Sequence, residues 1–219
     1  MLNFNKYFYK YLLVLLLCSL IFIACQTKDE KSDKNNKVDT NKTLTDSTKK
    51  FAPHSFINSN MSLQNIIDSQ KLNTRRLYLK VNKSEYFMSI SYDSRIIKEY
   101  PVVFGSDPIN DKLQEGDGCT PEGVFHIISK RYDNGWTRKI LLNYPTAESW
   151  KKHNQAIKER RIAESNIGSE IEIHGHNGTD ESMIDRHVNW TAGCISMKNI
   201  DIVELYEYVF TGMKVVINK

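Results

Sequence analysis

A histidine and a cysteine near the C-terminal end of this chain have the types and the setting that acyl transfer needs. His174 precedes Gly175 and ends a segment in which Glu170, Glu172 and His174 alternate with Ile171 and Ile173. Further on, Cys194 lies within Thr191-Ala192-Gly193-Cys194-Ile195, behind a glycine and shortly before an expected helix. A cysteine acyl-transfer site requires a thiol, a base carried on another segment, and backbone N–H groups free to hold an oxyanion. Strand alternation places Glu170, Glu172, His174 and His176 on one face and the isoleucines on the other. With the isoleucines in a core, the histidines face a cleft. An imidazole beside the thiol can take its proton, and the thiolate is the nucleophile. Gly193 lets the chain turn sharply and a substrate approach closely. The N–H groups of Gly193 and Cys194 are then the expected oxyanion donors.

Other side chains nearby compete for roles. His176 is a rival base on the same face. His174-x-His176 with His187 or Cys194 would be a metal site, but no acidic or histidine ligand spacing accompanies it, so no metal and no cofactor are expected. Arg186, beside Asp185, is either a solvated surface residue or a contact for a substrate carboxylate. Trp190 and Trp136 either line the cleft or pack in it. His54, His126 and His153 have no readable role.

The elements that must position these residues are mostly strands. Leu77, Leu79 and Val81 alternate, as do Tyr86, Met88 and Ile90; Ile96-Ile97 and Tyr100 to Phe104 continue the pattern. Gly105-Ser106-Asp107-Pro108 and Gly116-Asp117-Gly118 read as turns. Val124 to Ile128 and Val215 to Ile217 read as further strands. Three helices are expected: one across Ser62–Gln70, one across Ala147–Ile162, and one carrying Ile202, Leu205, Tyr206 and Val209. Asn199 is the expected cap of the last, with Asp201 and Glu204 favouring its N-terminal end. No internal repeat is visible. One mainly β domain of about 145 residues is a normal single-core size.

The first 24 residues read as a targeting segment: Lys6 and Lys10 begin it, and Tyr11 to Ala24 is an apolar run too short to span a bilayer comfortably. Phe22-Ile23-Ala24-Cys25 resembles a bacterial lipoprotein signal, with Phe22 where leucine is usual. The resemblance implies cleavage before Cys25 and lipidation of its thiol; the plainer reading is an ordinary N-terminal anchor. Both export and tether the domain, and Gln26 after the cysteine favours outer-membrane sorting where such a membrane exists. Gln26 to Lys50 is polar and charged, too poor in apolar surface to fold, and reads as a disordered tether. The net charge of +4 is too small, and unaccompanied by an aromatic-basic motif, to indicate nucleic acid. Of four cysteines, only Cys119 and Cys194 remain for the folded part. They form either one disulfide or two thiols of different use.

The segments Ile173-His174-Gly175 and Thr191-Ala192-Gly193-Cys194-Ile195-Ser196-Met197 resemble the L,D-transpeptidase catalytic-domain family. So do Gly116-Asp117-Gly118-Cys119-Thr120-Pro121-Glu122-Gly123-Val124-Phe125, Tyr100-Pro101-Val102 with Gly105, and the closing stretch through Asp201, Leu205, Tyr206, Gly212 and Val215. The resemblance covers residues 75–219, after a short helical lead-in over 51–74. It implies a mainly β, sandwich- or barrel-like catalytic domain with a few short helices. It implies attack of Cys194 on a peptidoglycan stem tetrapeptide at its diamino acid, loss of D-Ala, and transfer of the acyl group to an amine, a cell-wall-attached protein being one acceptor. By position, Cys194 is the nucleophile and His174 the base. The Gly175 carbonyl orients the imidazole, Thr191 fills the Ser/Thr position, and Gly193 shapes the oxyanion hole. Three departures stand out: Ser196 where many members have Arg or Asn, a long loop over 177–189 that can serve as a substrate lid, and Cys119 where a basic residue is common. A small residue followed by Met197 also resembles the hydrolytic, amidase-like branch. An inactive wall-binding lipoprotein is the third reading.

Overall fold

The computed structural model describes residues 54–219, which fall in one compact unit from Lys50 to Lys219. The targeting segment over 1–24, the lipid site at Cys25, the tether to residue 50 and the first residues of the lead-in lie outside the described residues.

Alternation of apolar residues builds a sheet that closes on itself. The strands are β1 (Leu77–Asn82), β2 (Phe87–Tyr92), β3 (Arg95–Val103), β4 (Gly123–Asp133), β5 (Thr137–Leu142), β6 (Glu172–His174), β7 (Ile195–Met197) and β8 (Lys214–Asn218). Around the barrel the order is β1-β2-β3-β7-β6-β5-β4-β8, and β8 returns to β1. Closure leaves no free sheet edge. In β1, Leu77, Leu79 and Val81 are buried while Lys80 is exposed, as the period of two requires. The mainly β expectation therefore holds, with the barrel as its form.

Four helices flank the barrel among the described residues: α1 (Leu63–Gln70), α2 (Ala147–Lys158), α3 (Ser182–Asp185) and α4 (Asn199–Tyr208). Leu63, Ile66 and Ile67 of α1 join the same apolar core as the strands, so the lead-in helix is part of the domain's interior. Glu204 fastens it. Its carboxylate accepts from the Leu63 N–H (2.7 Å), the Tyr100 hydroxyl (2.7 Å) and the Lys98 ammonium (2.7 Å).

Three sequence expectations change. The cysteine leads into the short strand β7, with α4 following only at Asn199. Asn199 does not cap α4; it is the first helical residue, and its side chain turns away to residue 176. Asp201 does lie in the first turn, where burial lifts its carboxyl to about 6. The β4–β5 hairpin also extends past Ile128 to Asp133 and returns through β5. Its Lys- and Arg-rich sequence hides the alternation. Asp133 closes the turn by accepting from the N–H groups of Gly135 and Trp136, both at 2.9 Å.

One buried cation ties a loop to the barrel. Lys83, just after β1, is 1% exposed. Its ammonium donates to the carbonyls of Asn110 (2.8 Å) and Thr120 (3.1 Å) and to the Glu122 carboxylate (2.9 Å). All three acceptors belong to the 110–122 segment that precedes β4. Lys83→Met leaves them without their donor, and breaking such a buried pair costs about 3 kcal/mol. Urea unfolding should show a loss of that order, with the far-UV spectrum of the folded state unchanged.

Candidate active site

Parallel pairing of β6 with β7 brings the two reactive segments together: Ile173 pairs with Ile195 and His174 with Ser196. His174 ends β6, and Cys194 sits immediately before β7. Ile173 and Ile195 are fully buried in the core.

The His174 imidazole is fixed on one side. Its Nδ1 lies 2.7 Å from the Gly175 carbonyl. A carbonyl only accepts, so Nδ1 carries the proton and Nε2 of the neutral ring is left as a base. Gly175 is held in turn. Its N–H donates to the Trp136 carbonyl (3.0 Å), and a Cβ there would lie 2.7 Å from the same oxygen. Asn199 completes the clamp: its Oδ1 accepts from the Thr137 hydroxyl (2.8 Å) and the His176 N–H (3.0 Å), and its Nδ2 donates to the His176 carbonyl (3.0 Å).

The thiol is also held by backbone. The Glu172 N–H donates to Sγ at 3.4 Å, and Sγ–H donates to the Glu170 carbonyl at 3.5 Å. Glu170 has φ 58°, a left-handed conformation that favours glycine. Strain therefore sits directly at the sulfur's acceptor. Among the described residues no hydrogen bond joins Sγ to His174. Burial pushes the Cys194 thiol up, against the opposing effect of the Glu172 N–H. Burial pushes the His174 imidazole down, against the Gly175 carbonyl that favours its charged form. Both effects favour a neutral thiol beside a neutral imidazole over an ion pair at rest.

The turn before Cys194 is stapled by Thr191. Its hydroxyl donates to the Cys194 carbonyl (2.7 Å) and accepts from the Gly193 N–H (3.1 Å). The Gly193 N–H is thus engaged, which corrects its expected role as an oxyanion donor. The Cys194 N–H meets no acceptor among the described residues. Gly193 serves through its backbone. Its φ is 138°, and a Cβ would lie 2.7 Å from the Cys119 carbonyl. Cys119 and Cys194 are both free thiols, so the disulfide alternative falls away. Cys119 is buried, donates to the Asp117 carbonyl at 3.5 Å, and burial lifts it to about 12.

The sequence profile of the YkuD family, the L,D-transpeptidase catalytic domain, matches residues 76–217. The chain belongs to this family. A Bacillus subtilis (strain 168) protein named "Putative L,D-transpeptidase YqjB" is 26% identical over 141 residues, covering 64% of this chain and 70% of that protein. Among solved structures, the helical cell shape determining protein Pgp2 from Campylobacter jejuni is 22% identical with a TM-score of 0.48, over 65% of this chain and 47% of its own. An L,D-transpeptidase from Mycobacterium smegmatis is 12% identical with a TM-score of 0.43, over 66% and 59%. This chain spans less than two thirds of either solved structure. Membership of the L,D-transpeptidase family supports a peptidoglycan transpeptidase-type function.

In this L,D-transpeptidase domain the remaining expected site residues divide. Trp190 stacks on Trp136 with centroids 5.4 Å apart, and both make T-shaped contacts with the His174 ring, at 5.7 and 4.6 Å. The indole N–H of Trp190 is buried without a partner. His176 packs edge-on against Trp190 at 5.4 Å, and its Nδ1 accepts from the Gly178 N–H at 3.0 Å. That nitrogen is spent in a local turn, leaving His174 as the better-placed base. Ser196 is fully buried, with its hydroxyl 3.5 Å from the Gly175 carbonyl, so it packs in the interior against the backbone that holds His174. Arg186 is exposed and paired with Asp180 at 2.7 Å on the far part of the crossover. It does not line the thiol's cleft. His187 stacks on Tyr86 at 4.2 Å, and among the described residues no group of three metal-binding side chains forms around the histidines.

The 177–189 segment is fastened down. Glu181 accepts from the Asn199 N–H (3.2 Å), Asp185 pairs with Lys198 (2.8 Å), and Ile184 is fully buried. The cleft at Cys194, about 210 Å³, opens on another side, between residues 112–116 and 168–171. Of its lining residues, sequence reasoning misses Lys112 and Glu115, and it puts Glu170 on the face of His174 without a role. Glu172 was placed on the right face without a role. Its carboxylate pairs with Lys139 (3.1 Å) and Arg131 (3.2 Å).

A pH profile follows from these burial effects. The base works when neutral, and its lowered pKa keeps it neutral on acidification past the ordinary 6.5. The acid limb of Cys194 acylation should therefore have its midpoint below 6.5. Iodoacetamide alkylation of the resting thiol should still be rising at pH 9, the ordinary thiol value, because burial holds it above that. Stopped-flow acylation and mass-resolved alkylation read the two limbs separately.

Proposed function

We propose that this domain is a peptidoglycan L,D-transpeptidase that forms an acyl-enzyme on Cys194 from a stem tetrapeptide. The observation that carries this reading is the His174 Nδ1 to Gly175 carbonyl bond, which leaves Nε2 basic on the strand beside the cysteine. Sγ attacks the carbonyl of the third residue as its proton passes to His174 Nε2. The Cys194 N–H steadies the oxyanion. The tetrahedral adduct collapses, the imidazolium protonates the departing amine, and D-Ala leaves. An acceptor amine then attacks the thioester, gives its proton to His174, and leaves joined to the acyl group while the thiol is restored. The acceptor is a second stem peptide or a wall-attached protein. No cofactor takes part in this scheme.

A hydrolytic outcome is the second reading. The cleft at the sulfur is small, about 210 Å³, and water needs no acceptor channel. The N-terminal lipoprotein pattern ending at Cys25 supports an exported domain tethered at the cell envelope.

Mixing the protein with a stem tetrapeptide should add the acyl mass to Cys194 and release D-Ala. Cys194→Ala should abolish both, and His174→Ala should slow acylation by about 10²-fold or more, the usual share of a general base. Turnover that persists in Cys194→Ala would sink the assignment. Dimeric muropeptides mark transfer; trimmed monomers mark hydrolysis.

A further inference from the structure

We propose that Lys112 is the carboxylate-recognising residue of the cleft at Cys194. The inference rests on the acyl-transfer reading above and names a specificity determinant for it.

Lys112 is 5% exposed, yet it lines the same cleft as the sulfur. A lysine is rarely buried this deeply unless it is paired. Its ammonium has three donors. One goes to the Gln114 carbonyl (3.0 Å) and one to the Asp117 carboxylate (2.9 Å). The third has no acceptor among the described residues. Asp117 does not simply neutralise it. That carboxylate also accepts from the N–H groups of Leu113 (2.8 Å), Gln114 (2.9 Å) and Cys119 (3.0 Å). Against its burial, the Gln114 N–H, the Lys112 ammonium and the N–H groups of Cys119 and Leu113 together hold it below the usual carboxylate range, so Lys112 shares this negative charge with three backbone dipoles. The ammonium keeps part of its positive field and a free donor in a low-dielectric wall.

The surroundings give that field a direction. Gly168 packs against the lysine stem, where a Cβ would lie 3.6 Å from Cε. The loops on either side are joined by the Glu115 N–H to the Asn166 carbonyl (2.8 Å), so the cleft is a fixed frame. Glu115 and Glu170 line the same cleft but are exposed, and water screens them. They make entry of a bare polyanion unfavourable and tolerate a carboxylate that carries an ammonium beside it. A stem tetrapeptide offers carboxylates near its scissile bond from two sources: the C-terminus of the leaving residue, and the side-chain end of the diamino acid.

Acylation of Cys194 is followed by intact mass with three tetrapeptides: the free acid, its C-terminal amide, and its diamino-acid side-chain amide. The wild-type protein should acylate more slowly with one of the amides, by roughly tenfold or more, the scale of a charge-assisted hydrogen bond. Which amide is slow identifies the source. Lys112→Met should collapse the free-acid to slow-amide rate ratio towards one, whatever the change in the absolute rates, and a cooperative urea transition shows that the variant is folded. Lys112→Arg should restore part of the difference. Equal wild-type rates with all three peptides overturn the proposal, as does a Lys112→Met protein that keeps the wild-type acid-to-amide ratio. Absence of any Cys194 adduct in the wild type overturns the acyl-transfer reading itself, and this one with it.

Discussion

The parallel pairing of β6 and β7 is the constraint around which the rest is arranged. Antiparallel neighbours can be joined by a tight turn, but parallel ones need a crossover of a dozen or more residues. The stretch from Gly175 to Cys194 is that crossover. Its length is a topological requirement before it is anything else. Its near end is the Gly175–His176 clamp, its far end is the Thr191 staple, and α3 lies between. The fastening contacts to Lys198 and Asn199 tie the middle to the start of α4. A chain that must travel this far would otherwise leave His174 and Cys194 free to drift.

Electrostatically, the site combines deep burial with backbone contacts. Both reactive side chains lose hydration, which favours their neutral forms. The polar contacts to them come largely from peptide groups: the Gly175 carbonyl, the Glu172 N–H and the Glu170 carbonyl. Peptide dipoles do not titrate, so these contacts keep their polarity whatever the pH. Among the charged residues, Glu172 is balanced by Lys139 and Arg131, while Lys112, Glu115 and Glu170 line the cleft itself.

Much of this was legible in the sequence. Period-two alternation located β1, β2, β3 and β8, because each has one face in the barrel. The His-Gly and Gly-Cys segments named the reactive pair, and the upstream Gly-Asp-Gly segment placed them in a family. Other parts were hidden for physical reasons. β5 and the outer half of β4 are rich in lysine and arginine. β6 and β7 are only three residues each, too short for a period to show. Residue type says that lysine prefers water, so Lys83 and Lys112 read as surface residues until the loops around them are seen. Asn199 has the composition of a cap, yet the Gly175–His176 backbone competes for its amide and wins. Gly193 and Cys194 both looked free to hold an oxyanion; only the position of the Thr191 hydroxyl separates them. Ser196 looked like a departure at a substrate contact, but barrel closure buries both faces of β7.

The stacked indoles of Trp136 and Trp190 have a use beyond shielding the base. They are two of the chain's three tryptophans, and His174 makes T-shaped contacts with both rings. An imidazolium quenches indole emission more strongly than a neutral imidazole. Two of the three tryptophans therefore sit where their emission responds to the charge of His174. The domain carries its own optical reporter, needing no label, on the protonation of that imidazole.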